Sequence, residues 1–144
     1  MTSPFHLAIP VTDLDDAVRF YEELIGCERG RSDSCWIDWN FYGHQLVTHL
    51  VEAMPNIQQD DESLQTNEVD SHNVPVPHFG IVLAKHDWQA LSARLEKHGY
   101  AFHIKPYIRF KGQVGEQGTF FLFDPSGNAL EFKYFEDMKQ LFAS

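Results

Sequence analysis

The chain has 144 residues, 43% of them hydrophobic and 14% aromatic, enough to bury a core as one compact domain or two small fused halves without a disulfide or metal. Its formal net charge of −10 opposes phosphate backbones and anionic membrane surfaces, so neither a nucleic-acid nor a membrane partner is expected. No apolar run reaches the roughly 18–20 residues of a spanning helix, and Met1–His6 lacks the basic and apolar regions of a secretory signal. Cys27 and Cys35 match neither a redox nor a zinc-finger spacing; read as two free thiols, they fit a cytoplasmic protein.

Phe5–Val11 alternates large apolar residues at 5, 7, 9 and 11 with smaller or polar ones, the period of a half-buried strand. Thr12–Asp16 supplies cap chemistry and first-turn acids. Leu14, Ala17, Val18, Tyr21, Leu24 and Ile25 then follow at helical spacing up to a Gly26 stop. Two further strands are expected at 35–41 and 45–51. The stretch 55–75 is polar and acidic and reads as an exposed connector between a first module at 1–54 and a second at 76–144.

The pattern then restarts. Val76-Pro77-His78-Phe79-Gly80-Ile81 echoes Pro4-Phe5-His6-Leu7-Ala8-Ile9; Asp87 repeats the cap, Trp88, Leu91, Ser92 and Leu95 repeat the helical face, and Gly99 repeats the stop. Strands are expected at 101–105, 119–123 and 128–134, the last two joined by the turn Asp124-Pro125-Ser126-Gly127-Asn128. Strand, helix and several strands, occurring twice, give an α+β protein of duplicated units, with helices on one face of each sheet and the other face free to line a cavity.

Strand parity turns His6 and His78 away from the apolar sets at 5, 7 and 9 and at 79, 81 and 83. Leu130, Phe132 and Tyr134 form the apolar face of the last strand, so Glu131 points the other way, toward a cation, either a metal or Lys133 on the same face. His49 is taken as the matching last-strand position of the first half. Two histidines and a carboxylate with open positions suit a divalent first-row metal, and His49 would make the set N3O. On the substrate side, Arg109 and Lys111 lie in a Gly-containing segment, expected as a loop, where they either meet an anion or sit on a solvated hairpin. Trp39 and Phe121 either wall a pocket or pack in the core.

These residues, with the Phe123-Asp124-Pro125-Ser126-Gly127-Asn128-Ala129-Leu130-Glu131-Phe132 ending, resemble the vicinal oxygen chelate superfamily of glyoxalases, bleomycin resistance proteins, extradiol dioxygenases and fosfomycin-resistance thiol transferases. The resemblance spans almost the whole chain and implies paired βαβββ modules forming a U-shaped mixed sheet around a central cavity. It also implies one divalent ion (Zn, Ni, Fe, Mn or Co) on His6, His78 and Glu131, Glu131 as the carried-over catalytic base, a small oxygenated substrate, and frequent homodimers. The His at 49, where glyoxalase-like members usually have Glu, is a departure, and the strand 119–123 lacks the acid or base that ring cleavage uses. The expected activity is that of a metal-dependent lyase, isomerase or dioxygenase-type enzyme. The alternative is a non-catalytic module that sequesters a small molecule, as bleomycin resistance proteins do.

Overall fold

Strand β1 (His6–Val11) buries Ile9 and Val11 and leaves His6 and Ala8 on its opposite side, as the alternation requires. The computed structural model describes residues 2–55 and 65–144. After β1, Asp13 caps a helical turn α1 (Leu14–Ala17) by accepting from the Asp16 N–H. The coil then widens into a π-helical stretch (Val18–Ile25) that ends at Gly26 with φ 92°. Phe20, Tyr21, Leu24 and Ile25 are its buried side chains. Strands β2 (Glu28–Asp33), β3 (Trp36–Phe41) and β4 (His44–Leu50) complete a sheet of order β1-β4-β3-β2, in which β1 runs parallel to β4 and the other pairs are antiparallel.

The second half repeats this order. Strand β7 (Phe79–Val82) lies parallel to β10 (Ala129–Phe135), which pairs antiparallel with β9 (Gln117–Phe123), which pairs with β8 (Ile104–Arg109). Helix α2 (Lys85–Lys97) packs Trp88, Leu91 and Leu95 as core residues beside Phe120, Leu122, Leu130, Phe132 and Tyr134 of the sheet. Trp88 Nε1 donates to the Phe132 carbonyl at 2.8 Å, so the buried indole N–H is satisfied. Ala84 occupies the N-cap of α2. Asp87, expected as the cap, lies one turn in, where its charge still favours the helix N-terminus.

Two expectations are corrected. The connector is not all loop: β5 (Thr66–Val69) and β6 (His72–Pro75) form a hairpin through Asp70 and Ser71, both at positive φ as a tight hairpin turn demands. The acidic run 58–63 lies outside the described residues. The segment that begins at Tyr107, read as loop, is strand as far as Arg109, because Pro106 sits at a register irregularity between Ile104 and Tyr107 that the pairing absorbs.

By contacts the chain divides into two units, residues 1–65 with 124–128, and residues 66–123 with 129–144. In the first, buried Asp124 accepts hydrogen bonds from Tyr21 Oη, Asn128 Nδ2 and the Ser126 and Asn128 N–H groups, and Asn128 Nδ2 also reaches the Pro10 carbonyl. The Asp-Pro-Ser-Gly-Asn turn is thus a buried polar clamp. Burial pushes the Asp124 carboxyl above the ordinary carboxylate range, and its donors offset only part of that. Both cysteines are free, Cys27 buried and Cys35 exposed. Among the described residues no helix is long and apolar enough to cross a membrane.

Candidate functional site

In the second unit, β7 and β10 run side by side with Gly80 as the register partner of Glu131. A Cβ on Gly80 would stand 1.6 Å from the Glu131 carbonyl oxygen, so only glycine lets the strands approach here. His78, just before β7, points its Nε2 at Glu131 Oε2, 3.1 Å away. Its Nδ1 lies 2.7 Å from the Pro75 carbonyl, which can only accept, so Nδ1 carries the proton and Nε2 is the atom left to bind. Glu131 Oε1 accepts from Thr119 Oγ1 at 2.8 Å and lies 3.3 Å from Lys133 Nζ.

The charges follow from this geometry. The hydrogen bond with Glu131 pushes the His78 imidazole above its ordinary value against the opposing effect of burial. For Glu131, burial raises the pKa, but His78, Lys133 and Thr119 together hold the carboxyl below its usual range. Phe121, opposite Glu131 on β9 and almost wholly buried, meets the His78 ring edge-on at 5.1 Å. A cavity of about 280 Å³ opens beside the pair, lined by His78, Gly80, Val82, Glu131, Lys133 and Leu141.

The first unit carries His6 at the start of β1, opposite Gln45, with Nδ1 2.8 Å from Gln45 Oε1. The amide oxygen accepts, so Nδ1 is the donor in this contact. His49 shares the His6 face but partners Pro10, four residues further along β4 than Gln45, a displacement of about 13 Å at the usual strand rise. Glu131 partners Gly80, and the repeat-equivalent pair is Ala8 with Val47. Val47, not His49, therefore stands where the second half has Glu131, and His49 matches Lys133. A two-residue slip keeps a side chain on its face, which is why parity did not expose it.

Trp39 belongs to the core: it is 1% exposed, donates from Nε1 to Thr48 Oγ1 at 3.1 Å and lies against Tyr21. Arg109 ends β8, ion-paired with Asp70 in the hairpin turn, and Lys111 is exposed in the turn that follows. Thr119, Gln45 and the Pro75 carbonyl were not singled out from the sequence. Thr119 was within reach, since pairing through the 124–128 turn places it diagonal to Glu131.

Does the pair fit a metal? Nitrogen and oxygen ligands at about 2.1 Å in perpendicular directions lie about 3 Å apart, as His78 Nε2 and Glu131 Oε2 do. The donor set, one imidazole with a committed Nδ1–H and one carboxylate, suits a first-row divalent ion. Among the described residues, no three His, Cys, Asp or Glu side chains form a group able to hold one.

Residues 3–132 match the Glyoxalase/Bleomycin resistance protein/Dioxygenase superfamily. The chain belongs to this superfamily. The superfamily's structures include one from Alicyclobacillus acidocaldarius, described as a glyoxalase/bleomycin resistance protein/dioxygenase, that is 37% identical, with a TM-score of 0.73 over 98% of this chain and 97% of that one. Glutathione transferase FosA of Serratia marcescens is 27% identical over 126 residues, covering 88% of this chain and 76% of that protein. Lactoylglutathione lyase from Agrobacterium tumefaciens shares the fold at 16% identity, with a TM-score of 0.63 over 100% of this chain and 98% of that one. The superfamily fold is the α+β arrangement expected from the duplicated pattern.

Proposed function

We propose that this superfamily member is an enzyme that uses one divalent metal, with His78 and Glu131 among its ligands, to act on a small oxygenated substrate. The observation that carries the reading is the His78–Glu131 pair, whose imidazole has its Nδ1–H committed to Pro75 and its Nε2 turned to the carboxylate. When bound, the metal would act as a Lewis acid on two adjacent substrate oxygens, the chemistry of a lyase or isomerase step or of an oxygenase. Thr119 and Lys133 occupy Glu131 Oε1 and keep Oε2 directed at His78, while Phe121 keeps water from one side of the ring. Glu131, the only carboxylate on this face of β10, is the residue placed to move a proton at Oε2. A small-molecule substrate, a homodimeric assembly and a cytoplasmic location belong to the same reading, and the relatives' names support a substrate in the lyase and transferase classes.

One observation favours a second reading, a module that binds without turnover. Glu131 already meets Lys133 and His78, so its charge is compensated without a metal. Metal content by plasma mass spectrometry separates the two. The enzyme reading expects about one equivalent of a transition metal, lost in His78→Ala and Glu131→Ala and retained in His49→Ala. No metal after reconstitution with each ion in turn would leave the binding module as the function.

A further inference from the structure

The β5–β6 hairpin lies on the face of the second sheet that carries Glu131. Glu131, Phe121 and Ile104 are successive cross-strand partners, and Thr119 pairs with Tyr107, so all five share that face. Val69 and Val74 of the hairpin pack on Ile104, Phe121 and Tyr107. The hairpin forms its own two-stranded sheet, with no ladder to β8. Two short strands alone are marginal in water, so side-chain contacts must hold this hairpin in place. The polar ones converge on its turn: Asp70 Oδ2 accepts from Tyr107 Oη at 3.0 Å and forms an ion pair with Arg109, and the His72 ring lies over Tyr107 at 4.7 Å. At the other end, Asn73 offers its carbonyl to His103 Nε2, and Pro75 holds His78.

Arg109 is the unusual member of this clasp. Its Nε is fully buried and, although paired in charge with Asp70, has no aligned hydrogen-bond acceptor among the described residues. Lifting the hairpin would remove Asp70 and leave the Arg109 guanidinium on the site face without its counter-charge. Another anion can take the vacated place, and two oxygens of a carboxylate or a phosphoryl group match the guanidinium fork. A ligand that binds only the open state shifts the population toward it.

We propose that the β5–β6 hairpin is a cover over the Glu131-bearing face of the second sheet, latched by Asp70 on Arg109, and that an anionic group of a substrate bound on that face, a carboxylate or phosphoryl oxyanion, displaces Asp70 from Arg109 and opens it. The proposal deepens the proposed function by naming an anionic substrate class, and rests on it for the role of the covered face. Its latch is testable without reference to the metal.

The test is hydrogen–deuterium exchange of the full chain over residues 66–75, in inorganic phosphate and in chloride of matched ionic strength, with and without chelator treatment. Phosphate is expected to speed hairpin exchange on the order of tenfold while β9 and β10 stay protected. Arg109→Gln should abolish that response, Asp70→Asn should give fast exchange without phosphate, and Lys111→Gln should behave as the parent. Protection of β9 and β10 reports that each variant is folded, and Arg109→Lys, which keeps the charge without the fork, serves if Arg109→Gln is not. A phosphate response that survives loss of the fork, or a parent hairpin indifferent to phosphate, overturns the latch. Because the exchange response does not depend on metal content, its failure is distinct from failure of the metal reading.

Discussion

Replacing Gly80 with alanine puts a methyl group into the β7–β10 rung that holds Glu131. The added carbon would meet the Glu131 carbonyl oxygen at 1.6 Å, its carbonyl carbon at 2.6 Å and its nitrogen at 3.1 Å, all backbone atoms that no rotamer change can move. Ordinary contact begins at 3.4 Å, so the strands must part by about 1.8 Å at this point. A ladder bond of about 2.9 Å does not survive that stretch. Losing the rung's bonds and stranding their partly buried partners costs about 3–5 kcal/mol, a large share of an ordinary domain's stability. At an unhindered site the same change stabilises by roughly 0.4–1 kcal/mol through the unfolded chain, so even the sign is diagnostic. Urea unfolding followed by circular dichroism should show a much lower midpoint at unchanged slope. A variant as stable as the parent, or more so, would refute the close approach and with it the placing of Glu131 beside His78.

Thr119→Val keeps the shape of the side chain but frees Glu131 Oε1; metal affinity measured by calorimetry should fall by about 10–100-fold with the fold intact. Tyr21→Phe takes one donor from buried Asp124 and should cost about 1.5–3 kcal/mol by urea titration at neutral pH. Losing that donor raises the carboxyl's pKa further, so the deficit is complete above both pKa values and shrinks as pH falls through them and the group protonates. Burial pushes the Cys27 thiol up to about 12 while Cys35 is exposed; an aromatic disulfide reagent at pH 8 should titrate one thiol in the native protein and two after denaturation.

Periodicity and punctuation carried most of the fold. The alternation in β1 and β10, the Gly26 stop and the Asp124–Asn128 turn all stand as read, because each is set by a local constraint on burial or backbone angle. His78 and Glu131 were legible as facing residues for the same reason: parity is local. Rung is not. Whether His49 or Val47 matches Glu131 depends on the register of β1 against β4, a long-range pairing with no local marker. Trp39 was ambiguous because an aromatic satisfies either face until its N–H partner, Thr48, is known. The hairpin was hidden by its composition: Asn67, Glu68, Asp70 and Ser71 read as loop, and only Val69 and Val74, meeting Ile104 and Phe121, give it a reason to fold.

The edge strands of the two four-stranded sheets bear on how copies of this chain meet. β2, at one margin, exposes all six residues, four of them charged, and its register shifts between Arg29 and Ser32. β8, at the other, contains Pro106, which offers no N–H, at a second irregularity. Charge, a bulge and proline are the means by which strands refuse an added neighbour. Of the opposite edges, which adjoin the strands that carry Gln45 and Glu131, β1 contains Pro10, again without an N–H, and β7 is only four residues long. Crowding therefore does not zip these sheets into open-ended ribbons from β2, β8 or the proline-bearing β1.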